Sequence, residues 1–319
     1  MARVVVTGGN GFVGRHLVTI LRARGDDVIV AGRRHDGIGV DYALDLGDHD
    51  NVRSLIESTR PGVIYHLAAV AFVPDATHDP MGTYETNIMG TARLFEAVRT
   101  VYRDSAPPRC IFVSSAEVYG TRAPDDYPLR ETLAPRPATP YAASKLAGEA
   151  IALGASRTFG IPTIVTRAFN HIGLGQDPRF AVPSFARGLA AVAGGAEPIL
   201  RVGNLSTRRD FLDVRDVVSA YVALADDGLD GEIYNICSGR PISMTEILRE
   251  LISIAHVAVE VRESADLMRP SDNPLSYGDN TKLRAVTRWK PCITLAQSLR
   301  DVYAEAETRA PLENPLGAE

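Results

Sequence analysis

The chain has 319 residues, of which 45% are hydrophobic and 23% charged. That composition excludes a solvated, disordered chain and allows one large α/β unit or two lobes with a substantial core. Thirty-four basic against 39 acidic side chains leave a net charge of −5, and no basic block marks a nucleic-acid footprint. Apolar runs such as 64–73 are interrupted by His66 and are too short for a bilayer, so no membrane partner is expected. Arg3 leads straight into a strand-like run with no signal-peptide core. Cys110, Cys237 and Cys292 lie far apart, which argues against a disulfide framework or a metal site and for a reducing cytoplasm.

In chain order, Arg3–Thr7 (RVVVT) is a β-branched strand that enters a glycine-rich turn and then a helix over 11–24. Further strands are predicted at 28–31, 63–67, 109–114, 161–166 and 233–236. Helices are predicted near 51–59, 83–102, 141–158, 214–226 and 245–255. Continuous apolar strands alternating with amphipathic helices make an α/β fold, with a doubly wound parallel sheet. Ser243 with Glu246, and Thr294 with Gln297, each have capping-box spacing at a helix start. Five prolines (Pro124, Pro128, Pro135, Pro137, Pro140) make 121–140 a loop. Two more irregular stretches, 173–182 and 267–278, interrupt the pattern where loops commonly carry function.

Three motifs carry chemistry. In TGGNGFVG, Gly8, Gly11 and Gly14 follow a strand and open a helix. Gly8 permits a tight turn, Gly11 lets a pyrophosphate approach the backbone, and Gly14 lets helix and strand pack closely. The plain alternative is an unliganded strand–turn–helix. Tyr141 and Lys145 stand at i and i+4 on a predicted helix, so phenol and ammonium project from one face. A neighbouring ammonium is expected to lower the phenol pKa from its usual value of about 10 and ready it for proton exchange. Ser115 ends an apolar strand in FVSSAEVYG, at the carboxyl edge of the sheet where ligands sit. The second strand ends VIVAGRRHD, with Arg33 and Arg34 where NAD-selective proteins keep an acid, and Asp36 comes too late to replace it. A guanidinium there suits a 2′-phosphate.

These motifs, with His66-Leu-Ala-Ala69, Asn87 in NIMGT and PYAASK, resemble the extended short-chain dehydrogenase/reductases of the NAD-dependent epimerase/dehydratase family. In the second half RAFNHIGLGQ, VGNLSTRRDFLDVRDVV, YNICSG, MRPSD and RWKP resemble the members acting on GDP-sugars. The resemblance implies a Rossmann dinucleotide-binding domain over 1–170, with returning segments near 205–240, and a mainly nucleotide-sugar-binding lobe over 171–319. It implies reduction of the C4 ketone of a GDP-linked 4-keto-6-deoxymannose, with NADP(H) preferred and NAD(H) usable. Tyr141 would protonate the C4 oxygen, Lys145 would hold the nicotinamide ribose, and Ser115 would orient the carbonyl. Gly8, Gly11, Phe12, Val13, Gly14, Arg33, Asp45, Leu46, Leu67, Ala68, Ala69 and Ala168 would line the dinucleotide groove with Tyr141 and Lys145. Asn170, Arg209 and Arg269 would bind the diphosphate, Asp272 the nucleotide ribose, and Arg187 the guanine. Glu117 stands where a 4,6-dehydratase keeps its C5 base, or else is a polar turn residue. His171 is structural or a cofactor-loop contact.

A 4,6-dehydratase, a C4 epimerase with a recycled cofactor, and a non-catalytic dinucleotide sensor remain the alternatives. The family likeness also implies a homodimer. Ile88, Leu94, Phe95 and Val98 on one helix, with Leu146, Ile151 and Leu153 on the other, are expected to supply its apolar stripe.

Overall fold

The computed structural model describes residues 2–33, 39–268 and 273–309. The strands are β1 (Arg3–Thr7), β2 (Asp27–Gly32), β3 (Tyr42–Ala43), β4 (Val63–His66), β5 (Arg109–Ser115), β6 (Thr163–Ala168), β7 (Asn170–Ile172), β8 (Ile199–Val202), β9 (Arg208–Asp213), β10 (Ile233–Ile236), β11 (Pro241–Ser243), β12 (Glu260–Glu263) and β13 (Leu275–Ser276). The helices are α1 (Phe12–Ala23), α2 (His49–Thr59), α3 (Val73–His78), α4 (Pro80–Tyr84), α5 (Gly90–Val101), α6 (Pro140–Phe159), α7 (Ala181–Ala193), α8 (Val214–Asp227), α9 (Met244–Ala255), α10 (Thr281–Thr287) and α11 (Leu295–Arg309).

Seven parallel strands form the central sheet in the order β10-β6-β5-β4-β1-β2-β3. The chain winds outward from β1 through β2 and β3, then crosses back to β4, so the sheet has its switch point beside β1. A crevice opens there at the strands' carboxyl ends. Thr7 is in register with both Ala31 and His66, which brings three strand ends together. Alternation along β1 divides the core: Val4 and Val6 pack with Leu17 and Leu21 of α1 and Tyr221 of α8. Val5 joins Leu55 of α2, Leu94 and Phe95 of α5 and Ala152 of α6 on the other face. A separate core gathers Phe185 and Leu189 of α7, Ile247 and Leu251 of α9, and Leu299, Val302 and Tyr303 of α11. Above it β7, β9, β11 and β13 form one small sheet, and β8 pairs with β12.

Several local expectations shift. Strand β6 starts at Thr163 rather than 161, because Pro162 has no N–H and offers the ladder only its carbonyl, which accepts from Cys110 N at 2.7 Å. The helix expected over 83–102 is three pieces: α4, a π-helical turn at Glu85–Met89, and α5. Ser243 and Glu246 close a reciprocal capping box. Thr294 closes only half of one, since Gln297 N donates to its hydroxyl at 3.2 Å while the Gln297 side chain turns forward to Asp301 at 2.7 Å. Leu94, Phe95 and Val98 are at most 4% exposed beneath the sheet, so they cannot belong to a dimer stripe. Ile88, Leu146, Ile151 and Leu153 are only half-buried. The proline-rich loop is anchored by a bridge from Leu129 to Gly278.

Candidate active site

The turn between β1 and α1 is shaped by backbone packing. Gly8 has φ +69°, and a Cβ there would lie 2.9 Å from the Ala68 backbone. A Cβ at Gly14 would sit 2.2 Å from the Gly8 carbonyl oxygen, so these two glycines are required by the fold. Gly11 differs, because its Cβ would meet only Gly8 O, at 3.2 Å. No side chain caps α1, whereas Asp48, Thr139, Asp213 and Ser243 cap α2, α6, α8 and α9. A bare helix start over an open glycine is an anion cradle, and the pyrophosphate of a dinucleotide fits it. Phe12 and Val13 form the first turn, and Phe12 stacks on His171 at 5.9 Å between ring centroids. His171 therefore ties the cofactor helix to β7.

The rest of the expected groove surrounds this turn. Leu67, Ala68 and Ala69 follow β4 and are half-buried, and the Ala68 N–H donates to Thr7 Oγ1 at 3.2 Å. Leu46 is buried, and the neighbouring Asp45 is exposed with its carboxylate accepting from Gly47 N at 2.8 Å. Ala168 ends β6, buried and in register with Ser115. Arg33 is exposed just past β2, its carbonyl held by Asn10 Nδ2 at 2.9 Å. Arg34 and Asp36 lie outside the described residues.

Helix α6 carries Tyr141 and Lys145. Thr139 accepts from Ala142 N and starts the helix. Gly148 then lets it sit tightly on β5, since a Cβ there would be 2.4 Å from the Phe112 ring. Tyr141 and Lys145 are consequently buried, and the Tyr141 hydroxyl lies near enough to Ser115 at the end of β5 to be influenced by it. Burial pushes the phenol up to about 12, with Ser115 opposing and the Glu117 carboxylate reinforcing that shift. The expected lowering by Lys145 is not what the structure shows. The ammonium donates instead to the Val113 carbonyl at 2.7 Å and lies 5.5 Å over the Phe112 ring. Burial lowers it to about 8, and the Glu149 carboxylate acts in the opposite direction. As arranged here, the phenol is a proton donor held in its neutral form.

A chain of buried hydrogen bonds joins the glycine turn to α6. Thr7 Oγ1 donates to His66 Nδ1 at 2.7 Å, and His66 Nε2 donates to Thr91 Oγ1 at 3.1 Å. Thr91 Oγ1 donates to the Asn87 carbonyl at 2.6 Å, which fixes this imidazole tautomer. Asn87, inside the π-helical turn, donates to Ser144 Oγ at 2.9 Å, and Ser144 donates to the Tyr141 carbonyl at 2.8 Å. Full burial, with Lys145 nearby, pushes His66 down to about 3, so the ring is neutral.

The residues expected to bind substrate lie beyond β6. Asn170 on β7 pairs with Phe211 on β9, two residues from the half-buried Arg209. Asp210 is fully buried and accepts from Ser238 N (2.7 Å), Ser238 Oγ (2.6 Å), Gly239 N (2.9 Å) and Gly278 N (3.3 Å). It thereby holds two loops against the strand that carries Arg209. Arg187 lies exposed on α7. Arg269 and Asp272 lie outside the described residues. Glu117 is exposed in the 3₁₀ turn after β5, close enough to Tyr141 to act on it.

Sequence reasoning did not single out Glu149, Arg167 or Asp210. Glu149 was within reach of the same argument, since it continues the Tyr141–Lys145 spacing by another four residues. Arg167 and Asp210 left no such signal, because only strand pairing reveals what they face.

The family model described as GDP-mannose 4,6 dehydratase matches residues 5–302. A Pseudomonas aeruginosa protein named GDP-6-deoxy-D-mannose reductase is 37% identical over 308 residues, covering 96% of this chain and 98% of the relative. The GDP-6-deoxy-D-talose 4-dehydrogenase of Aggregatibacter actinomycetemcomitans is 32% identical over 281 residues, covering 88% and 90%. Among solved structures, RMD from Pseudomonas aeruginosa complexed with NADPH superposes with a TM-score of 0.88 at 36% identity, covering 97% of this chain and all of that one.

Proposed function

The chain belongs to the GDP-mannose 4,6-dehydratase family of NAD(P)-dependent nucleotide-sugar enzymes, and from that premise we propose that it reduces the C4 ketone of GDP-4-keto-6-deoxy-D-mannose to GDP-D-rhamnose or its C4 epimer. The observation that carries this reading is the buried Tyr141 hydroxyl, kept protonated by burial at the end of β5 near Ser115. Carbonyl reduction needs a positioned acid.

NADPH, when bound, supplies the hydride. Gly8, Gly11, Gly14, Phe12 and Val13 would hold its pyrophosphate, Arg33 its 2′-phosphate, Asp45 and Leu46 its adenine, and Leu67, Ala68, Ala69 and Ala168 the rest of the groove. Ser115 orients the C4 carbonyl, and Tyr141 gives its proton to that oxygen. Lys145 binds the nicotinamide ribose and balances the charge left on Tyr141. Asn170, Arg209 and Arg269 engage the diphosphate, for which a guanidinium fork is suited. Arg187 and Asp272 meet the guanosine. We assign 1–170 mainly to the dinucleotide and 171–319 mainly to the sugar nucleotide.

A homodimer through α5 and α6 fits the exposed Met89 and Phe159 and the half-buried Ile88, Leu146, Ile151 and Leu153 on those helices and the adjoining π turn. A cytoplasmic location fits three free thiols. No helix among the described residues is long and apolar enough to cross a membrane.

Glu117 beside Tyr141 favours a second reading, a 4,6-dehydratase that recycles its cofactor. One assay separates the two: purified protein is given GDP-4-keto-6-deoxymannose and NADPH, and the absorbance and the product sugar are both followed. The reductase consumes one NADPH for each deoxyhexose formed. Product without NADPH loss, or no product from this ketone, overturns it.

A further inference from the structure

We propose that Glu149 is a positioning residue of the site: clamped by Arg167 and Ser114, its carboxylate holds a negative charge on the buried flank of α6 that keeps the Lys145 side chain cationic. Tyr141, Lys145 and Glu149 follow one another at four-residue steps along α6 and are 9%, 5% and 2% exposed, so they share one buried flank. Ser114 Oγ donates to Glu149 Oε1 at 2.5 Å. Arg167, on β6, adds a two-pronged grip, Nε to Oε1 at 2.9 Å and Nη2 to Oε2 at 2.7 Å. Glu149 thus locks α6 to the strands that end in Ser115 and Ala168.

A buried ion pair is a poor device for stability alone, because well-packed apolar side chains of similar volume serve as well or better. What the pair adds here is a fixed dipole, of which the Glu149 end acts on the desolvated ammonium. Lys145 itself donates to Val113 O, so Glu149 acts on it through the field of a low-dielectric interior rather than by contact. Burial draws Lys145 down to about 8, and Glu149 is the group that resists this.

Several other ionisable groups on the elements around Lys145 have partners of their own. His66 on β4 is neutral and bonded at both ring nitrogens. Arg167 on β6 is spent on Glu149, with its guanidinium 4.7 Å over the Tyr119 ring. Glu117 in the turn after β5 acts on Tyr141. Asp75 on α3, Glu85 in the π turn and Glu96 on α5 pair with Arg179, Arg93 and Arg99, and Asp79 caps α4.

The test uses the scarcity of lysine: the chain has only Lys145, Lys282 and Lys290, so ¹³C labelling at lysine Cε gives three resolvable signals, assigned by Lys282→Arg and Lys290→Arg. The full chain is titrated without substrate. In Glu149→Gln, which keeps the shape and loses the charge, the Lys145 midpoint should fall by about one pH unit. The double variant Glu149→Gln/Arg167→Gln leaves no guanidinium unpaired and should show a smaller fall in the same direction, because a cation is removed along with the anion, which covers misfolding of the single one. Ser114→Ala removes a hydrogen bond and no charge, and should leave the midpoint in place. An unchanged midpoint in the Gln variants, or an equal fall in Ser114→Ala, overturns the proposal. The inference rests on the reductase reading for what the cation serves. Because the titration needs no substrate, the two readings fail separately: turnover tests the one and the lysine signal the other.

Discussion

Helix α1 enters the site with its N-terminus, bare of any side-chain cap, whereas α6, capped by Thr139, lies alongside it with Tyr141, Ser144, Lys145 and Glu149 buried on its flank. The first contributes backbone: a close-packed glycine turn and N–H groups bare of a side-chain cap. The second contributes side chains whose charge states are set by burial and by fixed neighbours. The difference is one of what each ligand part demands. A pyrophosphate is met by any set of well-aimed N–H groups, while proton transfer needs particular atoms at particular protonation states. The hydrogen-bond chain from Thr7 through His66, Thr91 and Asn87 to Ser144 couples the two helices.

The division of labour can be broken at either helix. Tyr141→Phe keeps the packing of α6 and removes its acid, so kcat should fall by about 10²–10⁴-fold while NADPH still binds; near-normal turnover would remove Tyr141 from the chemistry. On the α1 side, Arg33→Ala should raise the KM for NADPH by roughly ten- to a hundred-fold, the worth of a charge-assisted hydrogen bond, with the KM for NADH little changed. Equal effects on both cofactors would show that Arg33 does not read the 2′-phosphate.

Two glycines sharpen the contrast within one turn. Gly14→Ala drives a methyl into the Gly8 carbonyl and should cost about 1–3 kcal/mol in a denaturant titration. Gly11→Ala should cost much less stability yet weaken NADPH binding, and comparable stability losses in both would argue against an open cradle at Gly11.

A pH-dependent effect concerns the link between the helices. His66 is held neutral, its folded value of about 3 lying below the ordinary 6.5. Its contribution is therefore complete above about pH 6.5 and is lost as the pH falls, because the unfolded chain takes up the proton first. Stability should decline by up to about 1.4 kcal/mol per pH unit in that window, more steeply than in His66→Asn. Parallel acid limbs would rule out this source.

Much of this was legible in the residues. The strand at Ile233–Ile236 was placed to the residue, and the glycine turn and the Tyr141–Lys145 pair were found by spacing, because local periodicity and turn chemistry act within a few residues. The break in the helix over 83–102 was not legible, since a π-helical turn answers to what Asn87 must reach, Val70 and Ser144, and not to propensity. The strands β7, β8 and β9 and helix α7 were also missed, being short or flanked by loops, and stabilised by pairing with distant segments.

The sequence by itself determined the alternation of strand and helix, the position of the glycine turn and the residues proposed to react. Only the tertiary structure decided their charge states. Lys145, four residues from Tyr141, looked like the group that would lower the phenol, yet it donates to Val113 and is itself lowered, while Tyr141 is raised. Desolvation and the direction of a buried ammonium's hydrogen bond depend on what β5, β6 and Glu149 place around it. Those neighbours are assembled by packing across the sheet, which spacing along the chain does not encode.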